Sequence, residues 1–594
     1  MRNAYRKLAA ECAPSTDHAS EESPDAVEPA LCLRVLDAAL REDVHGLHST
    51  GRLTSRQDGR WLTVTSGPRR ADLPVRKDGF LCDLAARAPY VLEDGVPLTG
   101  LGELLGFLGA GCDPLDAPGF AAFAAECRAA LETERLHARS RDDVYARLAR
   151  HARTTGLAGS LDFDTVAAFR DHPAYPTGRC RVGLTSAELR SYAPEFQPTF
   201  DLRWAAVPRE SLTMRGALPD RWPSPSAVGL PGAYDSTHVT LPVHPLTDPA
   251  AIEAAVPGTR YAPDAHLTVA PTLSMRTVAL LDDPTLHLKV PLATSTLGLR
   301  NRRTITPGSL VDGDVGGRLL REVLDAEPRF RDRVLVADEH TYAHAGDALL
   351  GVLVRRYPAG LDDAHVVSVA ALAAPAPTPA GAGSATVADL LADEYYGGDP
   401  VALHDAYLRL LLDWHTTLWL RYGIVLEAHQ QNTSLVLDRE PGSGATRLRL
   451  LLKDNDGPRL LAARVRERLP DADLAFDDTR IPVADGRPLA DMFTTITLHL
   501  CAAAPLLALA DTGRADRTQL MTLLRTRLAE AAERHPDSPD HPLLHERVLN
   551  AERLPVKLMV TAGTLLEKAR SGALDVNKHY AWTGPNYLAG PDGA

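Results

Sequence analysis

The sequence predicts an α+β chain of several domains. Helical periodicity holds toward both ends, short β-branched runs fill the middle, and two apolar runs meet at a polar cluster near residue 430. A length of 594 residues exceeds one ordinary core and suggests about two to four domains.

The elements follow in order. Residues 1–30 are polar and acidic and are expected to be disordered. Residues 31–165 read as mainly helical with some strand. The apolar spacing at Leu101–Gly111 and Phe120–Thr155 is close to a helical turn, and Pro114, Pro118 and Gly119 separate the two. Residues 166–385 read as a sheet-rich domain. Its runs at Val239–Val243, Leu267–Ala270, Thr277–Leu281, Leu286–Val290 and Leu349–Val354 lie between Pro and Gly punctuation. Residues 371–385, rich in Ala, Pro and Gly, read as a poorly ordered linker. Residues 386–594 form a C-terminal domain: helix to residue 422, strands at 423–438 and 446–453, then helix again over 485–590.

Composition narrows the function. Apolar content of 45% and charged content of 24% are those of a soluble globular protein. A net charge of -13 opposes nucleic-acid binding but permits a local anion pocket. The seven cysteines are scattered without a CxxC pair, which points to a reducing cytoplasm. The N-terminus lacks a signal-peptide apolar core, and no uninterrupted apolar run is long enough to span a membrane. There is no GxxxxGK[ST], no GxGxxG after a first strand, no GxSxG and no HExxH.

Four segments can carry chemistry. In Gly423-Ile-Val-Leu-Glu-Ala-His-Gln-Gln-Asn432, an apolar run ends in Glu427, His429 and Asn432. Burying these groups is costly unless each finds a partner, and a divalent metal with a polyphosphate would satisfy all three. Lys453-Asp454-Asn455-Asp456-Gly457 adds two carboxylates at another strand end. The alternative is a Glu and a His satisfied in a buried hydrogen-bond network. Ser274-Met-Arg-Thr277 followed by Lys289 offers hydroxyls, an Arg fork and an ammonium suited to phosphate; an edge strand with an outward Lys competes with it. Arg300, Arg302 and Arg303 complete an anion pocket or mark a solvated turn. His172-Pro-Ala-Tyr-Pro-Thr-Gly-Arg-Cys-Arg-Val-Gly183 projects His172, Arg179 and Arg181 from an extended loop, or is a plain surface loop. His244, in Val243-His-Pro245, sits in a functional loop or a turn, and Lys557 reads as a snorkelling residue on an apolar helix.

These segments, in this order, resemble the motifs of the NRPS-independent siderophore synthetases, the IucA/IucC family. The resemblance runs from about residue 165 to the C-terminus and includes Tyr192-Ala-Pro-Glu-Phe196. It implies a cupped-hand architecture of helical thumb, sheet-rich fingers and kinase-like palm, and a homodimer. It implies an ATP-dependent ligase that adenylates a polycarboxylate such as citrate, releases pyrophosphate and forms an amide or ester. ATP would be bound by Ser274, Arg276, Thr277, Lys289, Arg300, Arg302, His429, Asn432 and Asp454, and Mg2+ by Glu427, Asn432 and Asp454. The substrates would meet His172, Tyr175, Arg179, Arg181, His244 and Lys557, with His172, Arg276, Lys289 and His429 catalytic. The partners would be small carboxylate and amine or hydroxyl substrates, with no nucleic acid and no membrane. Tyr175 and Arg179 depart from the family's His and Lys, and Asn455 stands where an aromatic is common. The same chemistry in a non-siderophore pathway, a nucleotide-binding homologue without turnover, and a γ-phosphoryl kinase are the other readings.

Overall fold

The computed structural model describes residues 26–150, 155–572 and 579–589. The expected N-terminal disorder lies outside these residues up to position 25, but helix Val27–Arg41 begins within the stretch assigned to it.

The architecture is α+β, with large sheets segregated from helices. The N-terminal part is less helical than its sequence suggests. A six-stranded antiparallel sheet spans residues 52–98, packed on helices Val27–Arg41, Leu101–Gly109 and Ala117–Leu148. Its first hairpin pairs Arg52–Arg56 with Gly59–Ser66, turning at Gln57-Asp58 with Gly59 opening the second strand opposite Arg56. An Asp-Gly pair before an alternating run is a strong hairpin signal, and here the neighbouring helical periodicity masked it.

The central nine-stranded sheet contains every strand expected between residues 239 and 354. Within it, Thr277–Leu280, Leu286–Lys289 and Gly351–Arg356 run side by side, so Lys289 lies on an interior strand rather than an edge. A smaller four-stranded sheet orders Val334–Val336, Thr446–Leu452, Thr433–Arg439 and His365–Ser368. Helices Pro400–Thr416 and Arg517–Ala532 pack in the core beside it, with Trp414 and Trp419 fully buried. The helical stretch Arg487–Asp511 is long and apolar enough to cross a membrane, but 83% of its most apolar window is buried inside the protein.

Two further expectations are corrected. The Ala/Pro/Gly stretch is an antiparallel hairpin, Pro375–Thr378 with Gly381–Thr386, packed on the long helix Ala117–Leu148. Its small residues permit this approach: a Cβ on Gly381 would meet the Asp142 side chain at 2.8 Å. Lys557 is not helical; Arg553–Lys557 is a strand paired with Tyr580–Pro585. Pro555 within that segment disfavours a helix interior.

Candidate functional site

A cavity of about 360 Å³ opens where the N-terminal core, the central sheet and the C-terminal core meet. It gathers His172, Arg179 and Arg181 from the Pro-rich loop, and Ser274, Arg276, Thr277 and Lys289 from the central sheet. Glu427, His429, Asn432, Asp454 and Lys557 come from the C-terminal part. A second cavity of about 180 Å³ shares Arg276, Lys289, Asp454 and Asp456 as lining and reaches toward helix Pro307–Ala326.

The charge centre is built at strand ends. Lys289 Nζ sits 2.7 Å from Asp454 Oδ1 and 3.6 Å from Asp456 Oδ2. Arg355, one strand over, reaches the same Asp454 oxygen at 2.7 Å and Glu339 Oε1 at 2.5 Å. Burial alone would raise the Asp454 pKa, but Arg355 and Lys289 outweigh it and hold the carboxyl well below its usual range. Asp454 adopts φ 55°, a left-handed conformation uncommon outside glycine. Glu339 fixes it by accepting the Asp454 N–H at 3.0 Å.

The turn is further shaped by helix Pro307–Ala326. A Cβ on Gly316 would come within 2.2 Å of the Asn455 carbonyl, whereas one on Gly317 would meet nothing within 4 Å. Gly316→Ala is therefore expected to lower unfolding stability by about 1–3 kcal/mol through forced displacement. Gly317→Ala should raise it by up to about 1 kcal/mol through helix propensity. Urea unfolding of the two variants checks this pair.

Arg276 caps a tight turn between two strands. Its Nη1 donates to the Arg303 and Thr304 carbonyls at 3.0 and 2.7 Å. Ser274 Oγ accepts the Thr277 N–H at 3.0 Å, which leaves its own hydroxyl proton to donate. The structure lines the cavity with Arg303, not with the expected Arg300 or Arg302. Arg302 is exposed, and Arg300 Nη1 donates to the Ala562 carbonyl at 3.3 Å. Arg303 Nε is buried without a hydrogen-bond partner. Burial, with Arg276 and Arg181 nearby, pushes the Arg303 pKa down to about 9. A cation in that position is stabilised by an incoming anion.

The Glu427–Asn432 segment is a compact turn. His429 N–H donates to the Glu427 carbonyl at 3.0 Å, and Asn432 Nδ2 donates to the same oxygen at 3.2 Å. His429 Nδ1 accepts the Gln431 N–H at 3.2 Å. Across the cavity, His172 Nδ1 accepts from Ala174 and Tyr175 at 3.1 and 3.0 Å. Each ring therefore carries its proton on Nε2. Burial lowers both pKa values, that of His172 to about 3, with Lys557 adding to the effect. Both imidazoles are neutral hydrogen-bond donors at neutral pH.

The loop bearing His172 is clamped from below. Arg34 Nε donates to the Pro176 carbonyl at 3.1 Å, Arg41 donates to the Ala174 carbonyl, and Thr177 Oγ1 donates to Glu126 at 2.6 Å. Arg179 lies 2.9 Å from Asp171 and 3.5 Å from Glu134, and Arg34 bridges the same two carboxylates at 3.0 and 2.6 Å. Arg181 Nη1 donates to the Arg179 carbonyl at 2.9 Å, and its Nη2 lies 3.6 Å from Glu195. On the far wall, Glu42 accepts the Val560 and Thr561 N–H groups at 2.9 and 2.7 Å and so holds the chain that follows Lys557.

Two expected substrate residues are placed elsewhere. Tyr175 is fully buried in the N-terminal core and does not line the cavity. His244 is fully buried between the rings of Tyr192 and Phe200, each 5.3 Å away. Burial pushes its pKa down to about 3 from an ordinary 6.5. The unfolded chain takes up this proton as pH falls through 6.5 while the folded chain does not, so the stability it contributes is complete above 6.5 and declines toward 3. His244→Leu is expected to gain about 1–2 kcal/mol on wild type between pH 7.5 and pH 5, read from urea unfolding at both.

The cavity oxygens suit a hard cation. Among the described residues no group of three His, Cys, Asp or Glu ligand atoms converges here. Magnesium needs only one or two carboxylates when phosphates supply the remainder, so the donor set fits it.

Along most of its length the chain is similar to known proteins. The model of the IucA / IucC family matches residues 161–374, and one described as a ferric iron reductase FhuF-like transporter matches residues 402–570. The second segment holds a single cysteine, Cys501, and so no thiolate set for a metal cluster. Staphyloferrin B synthase of Staphylococcus aureus is 25% identical over 473 residues, 73% of this chain and 75% of that protein. The petrobactin biosynthesis protein AsbB of Bacillus anthracis superposes with TM-score 0.73 at 16% identity, covering 96% of both chains. ATP-bound aerobactin synthetase IucA of Klebsiella pneumoniae gives TM-score 0.68 at 18% identity, covering 94% of this chain and 99% of that one. Fold and relatives define a ligase-type biosynthetic enzyme. Over residues 161–374 the chain matches the IucA/IucC family, and along most of its length it is similar to siderophore synthetases.

Proposed function

We propose that this chain is an ATP-dependent, AMP-forming ligase that adenylates a polycarboxylate, citrate or a related acid, and passes the acyl group to an amine or hydroxyl in siderophore biosynthesis. The observation that carries the reading is Arg303, whose Nε is buried without a hydrogen-bond partner, beside Arg276 and Lys289 in one cavity with Arg179 and Arg181. Two groups of basic side chains in one space, able to turn from their carboxylate partners toward a ligand, suit two anions, a triphosphate and an acid.

In this reading a substrate carboxylate oxygen attacks the α-phosphorus of ATP and the bond to pyrophosphate breaks. Arg276, Lys289 and Arg303 stabilise phosphate oxygens as charge shifts to the leaving group. The neutral His172 and His429 donate from Nε2, and Arg179 and Arg181 orient the acid. Magnesium held by Glu427, Asn432 and Asp454 would neutralise phosphate charge. The amine then attacks the acyl carbon, AMP departs, and the amine's surplus proton is lost. Thumb, fingers and palm over residues 31–165, 166–385 and 386–594, a homodimer and a cytoplasmic location complete the proposal.

Pyrophosphate release assayed over di- and tricarboxylates tests it. Acid-dependent release of pyrophosphate with AMP is the expected result. ADP formation would replace the reading with phosphoryl transfer, and ATP binding without turnover would leave a non-catalytic homologue.

A further inference from the structure

A second cluster of ligand-type side chains lies outside this cavity. Helix Arg517–Ala532 ends at Glu533, and the chain returns into a helical segment that begins at His541. His541 and His545 are one turn apart and share a face, with ring centroids 4.6 Å apart. Both Nε2 atoms converge on one oxygen: Glu533 Oε1 lies 3.3 Å from that of His541 and 3.2 Å from that of His545. All three ligand atoms fall within 4.8 Å of one another.

The geometry is that of ligands around an ion. Two donors each about 2.0–2.1 Å from a tetrahedral zinc lie about 3.3 Å apart. The two His–Glu separations match that edge. Both Nε2 atoms are shielded from solvent and neither makes a hydrogen bond. The Glu533 side chain is 59% exposed, which leaves water access to a further coordination position.

We propose that Glu533, His541 and His545 bind one divalent transition-metal ion. Two imidazoles and one carboxylate suit zinc, cobalt or nickel better than magnesium. The ion clips the end of helix Arg517–Ala532 to the segment that follows it and acts as a structural staple. The proposal stands apart from the ligase reading, since none of the three residues lines the catalytic cavity.

Tag-free full-length protein, stripped with chelator, is titrated with Zn2+ by calorimetry and with Co2+ by visible absorption. One tight equivalent per chain, a Co2+ spectrum of low-coordinate type and a chelator-reversible rise in Tm are expected. His545→Ala should weaken that equivalent by at least about tenfold and remove the Tm rise. Glu533→Gln, at a half-exposed position where folding is not at stake, should also weaken it. Absence of a tight equivalent in the wild type, or unchanged affinity in both variants, overturns the site.

Discussion

Lys289→Met is expected to cut acid-dependent pyrophosphate release by at least about 10²-fold while the protein remains folded. Lys289 is the ammonium between Asp454 and Asp456, 2.7 and 3.6 Å away, on an interior strand. Removing it takes one cation from the proposed triphosphate site and would leave two carboxylates facing incoming phosphates. Both effects oppose nucleotide binding and, more strongly, the charge that develops on pyrophosphate. Arg355 still compensates Asp454, so the fold retains its main internal pair. Lys289→Arg keeps the charge and should recover part of the activity, because a guanidinium cannot reproduce the compact geometry of the ammonium. Activity of Lys289→Met within a factor of about three of wild type would remove Lys289 from the catalytic machinery. Circular dichroism separates this from unfolding.

What the sequence made legible follows from physical range. The strand ends bearing Glu427, Asp454 and Lys289 were readable because apolar runs stopping at polar clusters are local signals. Lys289 on a short strand was ambiguous until the neighbouring strand Gly351–Arg356 closed over it. Arg303 was visible only as one of three arginines, since the turn that aims it inward and turns Arg302 outward is set by hydrogen bonds such as Leu292 N–H to the Arg303 carbonyl at 3.1 Å. Arg34, Glu42 and Glu134 gave no local sign, because their partners lie far along the chain, as with Glu42 and Val560. His244 and Tyr175 show the converse error. Each sits in a motif-like segment, yet each is buried among apolar and aromatic side chains where a polar residue serves packing.

The largest stability effect is expected at Arg355. Its side chain is 1% exposed, between Glu339 at 2% and Asp454 at 20%. Breaking a buried ion pair by removing one partner leaves a desolvated charge and costs about 3–5 kcal/mol, even where the pair itself adds little net stability. Arg355→Met should therefore lower the urea midpoint and the Tm of the unfolding step that includes the central sheet. Glu339 would retain only the N–H groups of Asp454 and Asn455, at 3.0 and 3.4 Å. Among the described residues Asp454 would retain Lys289 as its remaining ion-pair partner, so the left-handed turn would loosen and activity would fall with stability. The double variant Arg355→Met/Glu339→Gln removes the stranded carboxylate and should regain a substantial part of the lost stability without regaining activity, because the Asp454 turn is still short of its anchor. Additive losses in the double variant would show that Arg355 and Glu339 are energetically independent and that the turn is held by backbone packing against Gly316 instead.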